Sequence, residues 1–274
     1  MFQEAIESSR GFSLPELQRN ISLESYLDDI NEWLGWTPRE NASSNVIYHR
    51  IAIFYFILNQ PSLKHLHPSS TPENLKEPMI WLSEWLLRYA KTLGRFLDSS
   101  RSINEQVNSS RAISSLDLDP SPESTTPLVI VNPADARFEG QRAIGEESWL
   151  TAKHVEWRVT EILGDITYED RFPGGVFMHA TLGANDSHHI HTLVSRTVLE
   201  NTVMPSQAAF NVMVKVSKNG EAAGIDFRGS IDTPGYRMTL AHGLILLDTE
   251  VGLVAVLPVG IAQVDSVVIT AQPG

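Results

Sequence analysis

The 274-residue chain contains no cysteine and is short of basic residues, with 21 Lys and Arg against 33 Asp and Glu. Without thiols, a disulfide framework, a cysteine nucleophile and a thiolate metal site are excluded, and an intracellular location is weakly favoured. The net charge of -12 argues against binding to nucleic acid or to an anionic membrane, because both require basic patches. No apolar run approaches the roughly 20 residues of a membrane span, and the first residues lack the layout of a secretory signal. We therefore expect a cytoplasmic protein.

The first part of the chain shows helical periodicity. Apolar residues recur at helical spacing after Ser22, from residue 46 to 58, and from residue 72 to about 98. We therefore predict a helical N-terminal region over residues 1–98, in which the aromatic residues of the third helix form core packing rather than a ligand site. Residues 99–127 are rich in Ser, Asp and Pro, a composition that is typical of a linker.

From residue 128 onward, short β segments alternate with glycine-containing turns. Strands are predicted over residues 128–131, 149–155, 172–178, 194–204, 210–216, 236–248, 253–258 and 263–270, with a brief helix over 156–164. Lys218, Asn219 and Gly220 are typical of a hairpin turn. The predicted fold class is α+β: the helical region is followed by a mainly antiparallel β-sheet or barrel-like sandwich over residues 128–274.

Histidines are concentrated at the end of one predicted strand and in the polar loop after it. His179 directly follows the predicted strand, and His188, His189 and His191 lie in the loop together with Asp186. A neutral imidazole accepts or donates a proton near pH 7, so such a group suits acid–base catalysis. Imidazoles also bind zinc and iron, and a His-rich surface loop without function is a third interpretation. Residue spacing alone leaves all three open.

Five segments of the second half have a characteristic order and spacing. They are N-P-A-D-A at 132–136, F-P-G-G-V-F-M-H at 172–179, D-S-H-H-I-H at 186–191, a G-Y to L-D stretch at 235–248, and L-V-A-V-L-P-V-G-I-A-Q-V at 253–264. In these segments the chain resembles the phosphatidylserine decarboxylase family, and in particular its fungal branch, whose members act on amino acids and other small molecules. The resemblance covers about residues 128–274 and implies a catalytic domain of that family's type.

The resemblance also implies roles for particular residues. In that family, self-cleavage converts a serine of a C-terminal G-S motif into a pyruvoyl group, which withdraws electrons as carbon dioxide leaves. By position, Asp135 and His191 match the acid and base of self-cleavage, and His188 matches the histidine assigned to decarboxylation. Without the resemblance, Asp135 would be interpreted as a turn-capping aspartate after Pro133.

The sequence also departs from the family's pattern. It stops at Gly274, before the family's G-G-S ending, so a self-made pyruvoyl is not expected from these residues. Ser187, His189, Leu193 and His242 stand where the family has Tyr, Arg, Pro and Arg. Loss of a terminal segment would not produce these internal changes, which favour divergence.

We therefore predict a lyase of decarboxylase descent, in fungal specialised metabolism, that acts on a small carboxylate-bearing metabolite. Asp135, His188 and His191, with His179, His189 and His242 as further candidates, would transfer protons in a decarboxylation, dehydration, isomerisation or cyclisation. No metal or cofactor is expected, a pyruvoyl excepted if a missing C-terminal segment supplies the serine. An ordinary pyruvoyl decarboxylase, a non-catalytic binding homologue and a metal enzyme remain alternatives. The resemblance also implies a possible homodimer.

Overall fold

A computed structural model describes most of the chain. The described residues are 1–37, 44–67, 78–102, 132–152, 155–164, 166–183, 186, 188–191, 196–204, 212–216, 218–219, 222–226, 242–260 and 267–274. The chain divides into two compact units, and one of them combines the N-terminal helices with a hairpin from the second half of the sequence. The sequence boundaries at 98 and 127 remain predictions. No helix in the described ranges is long and apolar enough to cross a membrane.

The helical unit contains the three helices that the sequence predicts and one more at the N-terminus. They are α1 (Phe2–Arg10), α2 (Leu23–Trp33), α3 (Ser44–Leu58) and α4 (Trp81–Leu97). Ser22 is the N-cap of α2, and its hydroxyl accepts a hydrogen bond from the Ser25 N–H. The prediction that α4 begins before residue 78 is wrong at residues 78–80, which are not helical. Pro78 has no N–H to donate and disfavours helical geometry at the residue before it.

The helical unit is built around Phe54. Its ring centroid lies 4.9–6.3 Å from those of Tyr26, Trp33, Tyr55, Trp85 and Tyr89. The Tyr26 hydroxyl donates to the Phe54 carbonyl at 3.0 Å, and the Tyr89 hydroxyl donates to the Ile30 carbonyl at 2.5 Å. Burial is the main cause that raises the pKa of both tyrosines. The aromatic residues of α4 are therefore core packing, as the helical spacing predicts.

A β-hairpin completes the helical core. Its strands, β6 (Met213–Val216) and β7 (Ala222–Asp226), are antiparallel and flank the predicted turn at Lys218 and Asn219. Val212 is buried in the helical core, and its N–H donates to the Asn59 side-chain oxygen. Part of the core is thus supplied by residues far from the helices in sequence.

The second unit consists mainly of antiparallel strands. They are β1 (Arg137–Ala143), β2 (Trp149–Ala152), β3 (Val155–Arg158), β4 (Val176–Thr181), β5 (Arg196–Met204), β8 (His242–Thr249) and β9 (Gly252–Val256), with the short helix α5 (Val159–Leu163). Their sheets have the orders β1-β4, β2-β3 and β5-β8-β9. The α+β class is confirmed, and the described strands form open sheets rather than a closed barrel.

Several predicted boundaries in this unit are wrong. The helix predicted from residue 156 begins at Val159, because residues 156–158 pair with β2. The strand predicted from residue 172 begins at Val176, after a turn in which Gly174 has φ +74°. Residues 267–270 are not in a strand, and β1 is not predicted at all. Strand predictions over 128–131, 236–241 and 263–266 lie outside the described residues.

Candidate active site

The β1–β4 pair brings two separate parts of the chain to one end of a sheet. Arg137, the first residue of β1, lies opposite Thr181, the last residue of β4. The segment that contains Asp135 therefore precedes β1 at the same end of the strand pair at which the chain passes from β4 into the histidine loop. The His191 N–H donates to the Pro133 carbonyl at 2.7 Å, which joins the two segments directly.

Asp135 is the central residue of a tight turn. The Ala136 N–H donates to the Ala134 carbonyl at 2.7 Å, and this three-residue turn leaves Asp135 exposed. Ala134 beside it is buried, which fixes the turn to the body of the unit. The acid that the resemblance singles out is thus held on an anchored turn at the edge of the histidine loop.

The histidine loop folds back on Gly183. The Gly183 N–H donates to Asp186 Oδ2 at 2.6 Å, and the Gly183 carbonyl accepts a hydrogen bond from His188 Nε2 at 3.0 Å. Because a carbonyl can only accept, His188 carries hydrogen on Nε2, and in the neutral ring Nδ1 bears the lone pair. His188 is exposed and is therefore placed to accept a proton from a molecule in solution.

The other loop histidines differ in burial. His191 is half-buried, and His189 is exposed. The hydrogen bond from the His191 N–H to the Pro133 carbonyl, through the main chain alone, joins the loop to the Asp135 segment. Within the described part of the chain, no three His, Asp or Glu side chains are grouped closely enough to hold a metal ion.

His179 lies in β4, just before the loop. Its Nδ1 is 3.7 Å from Glu139 Oε2 on the neighbouring strand β1. The sequence does not indicate Glu139 as a site residue, because a lone acidic residue before a glycine has no distinguishing pattern. The contact depends on which residues of β1 and β4 face each other.

His242 occupies a different part of the unit. It is buried at the start of β8, where it lies opposite Met204 of β5 and forms a bridge with Val259. Its Nε2 donates to the Ile162 carbonyl in α5 at 3.0 Å. These contacts tie α5 to the β5–β8–β9 sheet and fit a structural role, so a catalytic role for His242 stays a prediction.

Comparison with known proteins gives one family. The family model described as phosphatidylserine decarboxylase matches residues 108–274. A protein named phosphatidylserine decarboxylase proenzyme from Salmonella typhi is 26% identical over 147 residues, which are 53% of this chain and 41% of that protein. Proteins of the same name from Salmonella arizonae and Salmonella agona are 27% identical over the same length and shares. The match thus spans less than half the length of these curated relatives.

Proposed function

Because the chain belongs to the phosphatidylserine decarboxylase family, we propose that it is a lyase of decarboxylase descent that acts on a small carboxylate-bearing metabolite. The proposal includes acid–base catalysis by Asp135, His188 and His191 without a self-made pyruvoyl, and a biosynthetic role in fungal specialised metabolism. The observation that carries it is the hydrogen bond from the His191 N–H to the Pro133 carbonyl, which joins the two segments.

The proposed chemistry suits a substrate that carries its own electron sink, such as a β-keto acid. The bond between the carboxylate and its α-carbon breaks, carbon dioxide leaves, and the electron pair moves into the substrate's carbonyl to give an enolate. An imidazolium of the loop then donates a proton to the carbon, so one proton is consumed for each carbon dioxide released. The carboxylate of Asp135 would stabilise the positive charge of the loop imidazolium before it donates its proton.

The internal departures from the family's pattern support pyruvoyl independence. His242 stands at a position where the family has arginine, and it is a buried residue bonded to the Ile162 carbonyl. An arginine there would bring a permanent charge into this buried position, which is costly without an anionic partner. The divergence therefore alters the interior of the unit as well as the loop.

A second candidate is a pyruvoyl-dependent decarboxylase that acts on an amino acid or a phospholipid, and the family match favours it. The pyruvoyl group supplies the electron sink that a simple amino acid lacks. The residues present fit this candidate too, because one carboxylate and two imidazoles are the groups that the resemblance assigns to self-cleavage and decarboxylation. Asp135 and His191 would serve the first step, and His188 would transfer a proton in the second.

Carbonyl trapping combined with a turnover assay separates the candidates. The protein is isolated from its native source and incubated with phenylhydrazine, and its intact mass is measured. Free phenylhydrazine is then removed, because it would react with a keto substrate, and carbon dioxide release is followed from β-keto acids, L-amino acids and phosphatidylserine. We expect an unmodified mass and phenylhydrazine-resistant turnover of a β-keto acid. A trapped carbonyl with sensitive turnover of an amine substrate would establish the second candidate, and a complete lack of turnover would favour a binding homologue.

The His188→Ala variant tests the site itself. Removal of a general acid–base group should reduce turnover by about 10²-fold or more. His65→Ala is the matched control, because His65 is an exposed histidine of the helical unit. Near-normal turnover of His188→Ala would remove His188 from the mechanism.

A further inference from the structure

A β-bulge interrupts the β1–β4 pair beside the candidate site. Phe138 lies opposite Ala180 and Gly140 lies opposite His179, so Glu139 is the extra residue of the bulge. Gly140 has φ +156°, a conformation that side chains rarely adopt. Bulges are common next to active sites, where they redirect a side chain. The bulge at Glu139 and Gly140 thus changes the direction of β1 at one defined point.

The bulge lets Glu139 reach His179. Glu139 Oε2 lies 3.7 Å from His179 Nδ1, within ion-pair distance. The two side chains are only 22% and 30% exposed, although the Glu139 residue as a whole is exposed, so its exposure belongs mainly to the main chain. Partial burial reduces the screening of the interaction by water.

Arg137 also contacts the Glu139 carboxylate. Its Nη2 lies 3.3 Å from Glu139 Oε1, and the arginine side chain is 81% exposed. One carboxylate oxygen is thus turned toward a solvent-exposed cation and the other toward the histidine. The arginine fixes the orientation of the carboxylate but competes with His179 for its charge.

We propose that Glu139 is a positioning residue for His179: it holds Nδ1 protonated, orients the ring and stabilises the imidazolium form. His179 is two residues from Thr181, where β4 ends and the histidine loop begins. Residues two apart in a strand share one face, so His179 lies on the same face of β4 as Thr181, one side-chain position before the end of the strand. The catalytic consequence of the pairing rests on the proposed function, and the pair would supply that site with an oriented proton donor.

Histidine titration by NMR tests the pairing without any substrate. The imidazole signals of His179, assigned with a His179→Gln variant, are followed against pH in the wild type and in Glu139→Gln. We expect Glu139→Gln to move the His179 titration to lower pH and to reduce the population of the Nδ1-protonated neutral tautomer. Glu139→Asp keeps the charge on a side chain one methylene shorter, so its titration should lie between the two.

Two control variants separate pairing from general electrostatics. Glu250→Gln makes the same change of charge at an exposed turn and should leave the His179 titration unchanged. Arg137→Gln removes the competing cation and should leave the titration in place or move it to higher pH. An unchanged His179 titration in Glu139→Gln, or an equal downward shift in Arg137→Gln, would overturn the inference. Neither result bears on the turnover that tests the proposed function.

Discussion

Gly243 is the residue of β8 at which a small substitution should have the largest effect. A Cβ atom at this position would lie 2.9 Å from Val267 Cγ1, 3.0 Å from Ile269 Cδ1 and 3.1 Å from Pro258 Cγ. Carbon atoms in favourable contact are about 3.5–4.0 Å apart, so each of these contacts is too close. The methyl group at Ile269 is the end of a flexible side chain and can rotate away.

The other two neighbours cannot move so easily. Pro258 has a rigid ring, and its carbonyl accepts a hydrogen bond from the Gly243 N–H at 2.8 Å. Val267 is β-branched and restricted at χ1. We therefore expect Gly243→Ala to lower the free energy of unfolding of the strand unit by about 1–3 kcal/mol, the usual cost of an extra methyl group in a packed site.

Hydrogen exchange of the β8 amides, together with urea unfolding, measures this loss in the unit concerned. Gly35→Ala is the control, because a Cβ there meets nothing within 4 Å, and its effect should stay within about 0.5 kcal/mol. Val267→Ala removes the nearest methyl group, so the double variant should be more stable than the sum of the single losses by about 0.5 kcal/mol or more. A neutral Gly243→Ala, or strict additivity, would refute the reasoning.

Three further predictions concern the helical unit. Phe54→Ala removes the ring at the centre of its core and should cost about 3–5 kcal/mol in urea unfolding, whereas Phe138→Ala, at an exposed site, should cost far less. Ser22→Ala removes the N-cap of α2 and should cost about 1 kcal/mol, with Ser100→Ala, at an exposed serine of the helical unit, as the control. Burial lowers the pKa of His67 below 6.5, although its hydrogen bond to the Leu58 carbonyl opposes this shift. The unfolded chain then binds more protons than the fold in mildly acidic solution, so stability should be complete above the unfolded pKa of 6.5 and fall as the pH drops below it. The free energy of unfolding of His67→Gln should fall less steeply than that of the wild type between about pH 7.5 and about pH 5.5. Equal slopes for the two proteins would contradict the assignment to His67.

The sequence predicts the helices well because their apolar periodicity is directly visible. It fails at β1, whose residues are exposed along nearly the whole strand and therefore lack the alternation of apolar and polar residues that marks a half-buried strand. The sequence also predicts too early a start for α4, because the helical spacing of apolar residues continues through Pro78, whereas residues 78–80 are not helical.

The candidate site was predictable only in part. The resemblance selects Asp135 and His191, and the structure joins their segments through Pro133. No local pattern, however, links Glu139 to His179, because the contact requires both the pairing of two distant strands and a one-residue bulge in that pairing. Likewise, the buried hydrogen bond of His242 to Ile162 follows from tertiary packing alone.

The order in which the units are encoded has a consequence for synthesis on the ribosome. Asn59 of the helical unit bonds Val212, 153 residues later, so the helices emerge long before the hairpin that completes their core. The β1–β4 pair of the other unit is translated in between, whereas β5 must wait for β8. A nascent chain therefore carries two unfinished cores at once, and a fragment that ends after α4 would leave the apolar surface meant for Val212 uncovered. Such a fragment should need a chaperone or aggregate, while the longer chain closes that surface itself.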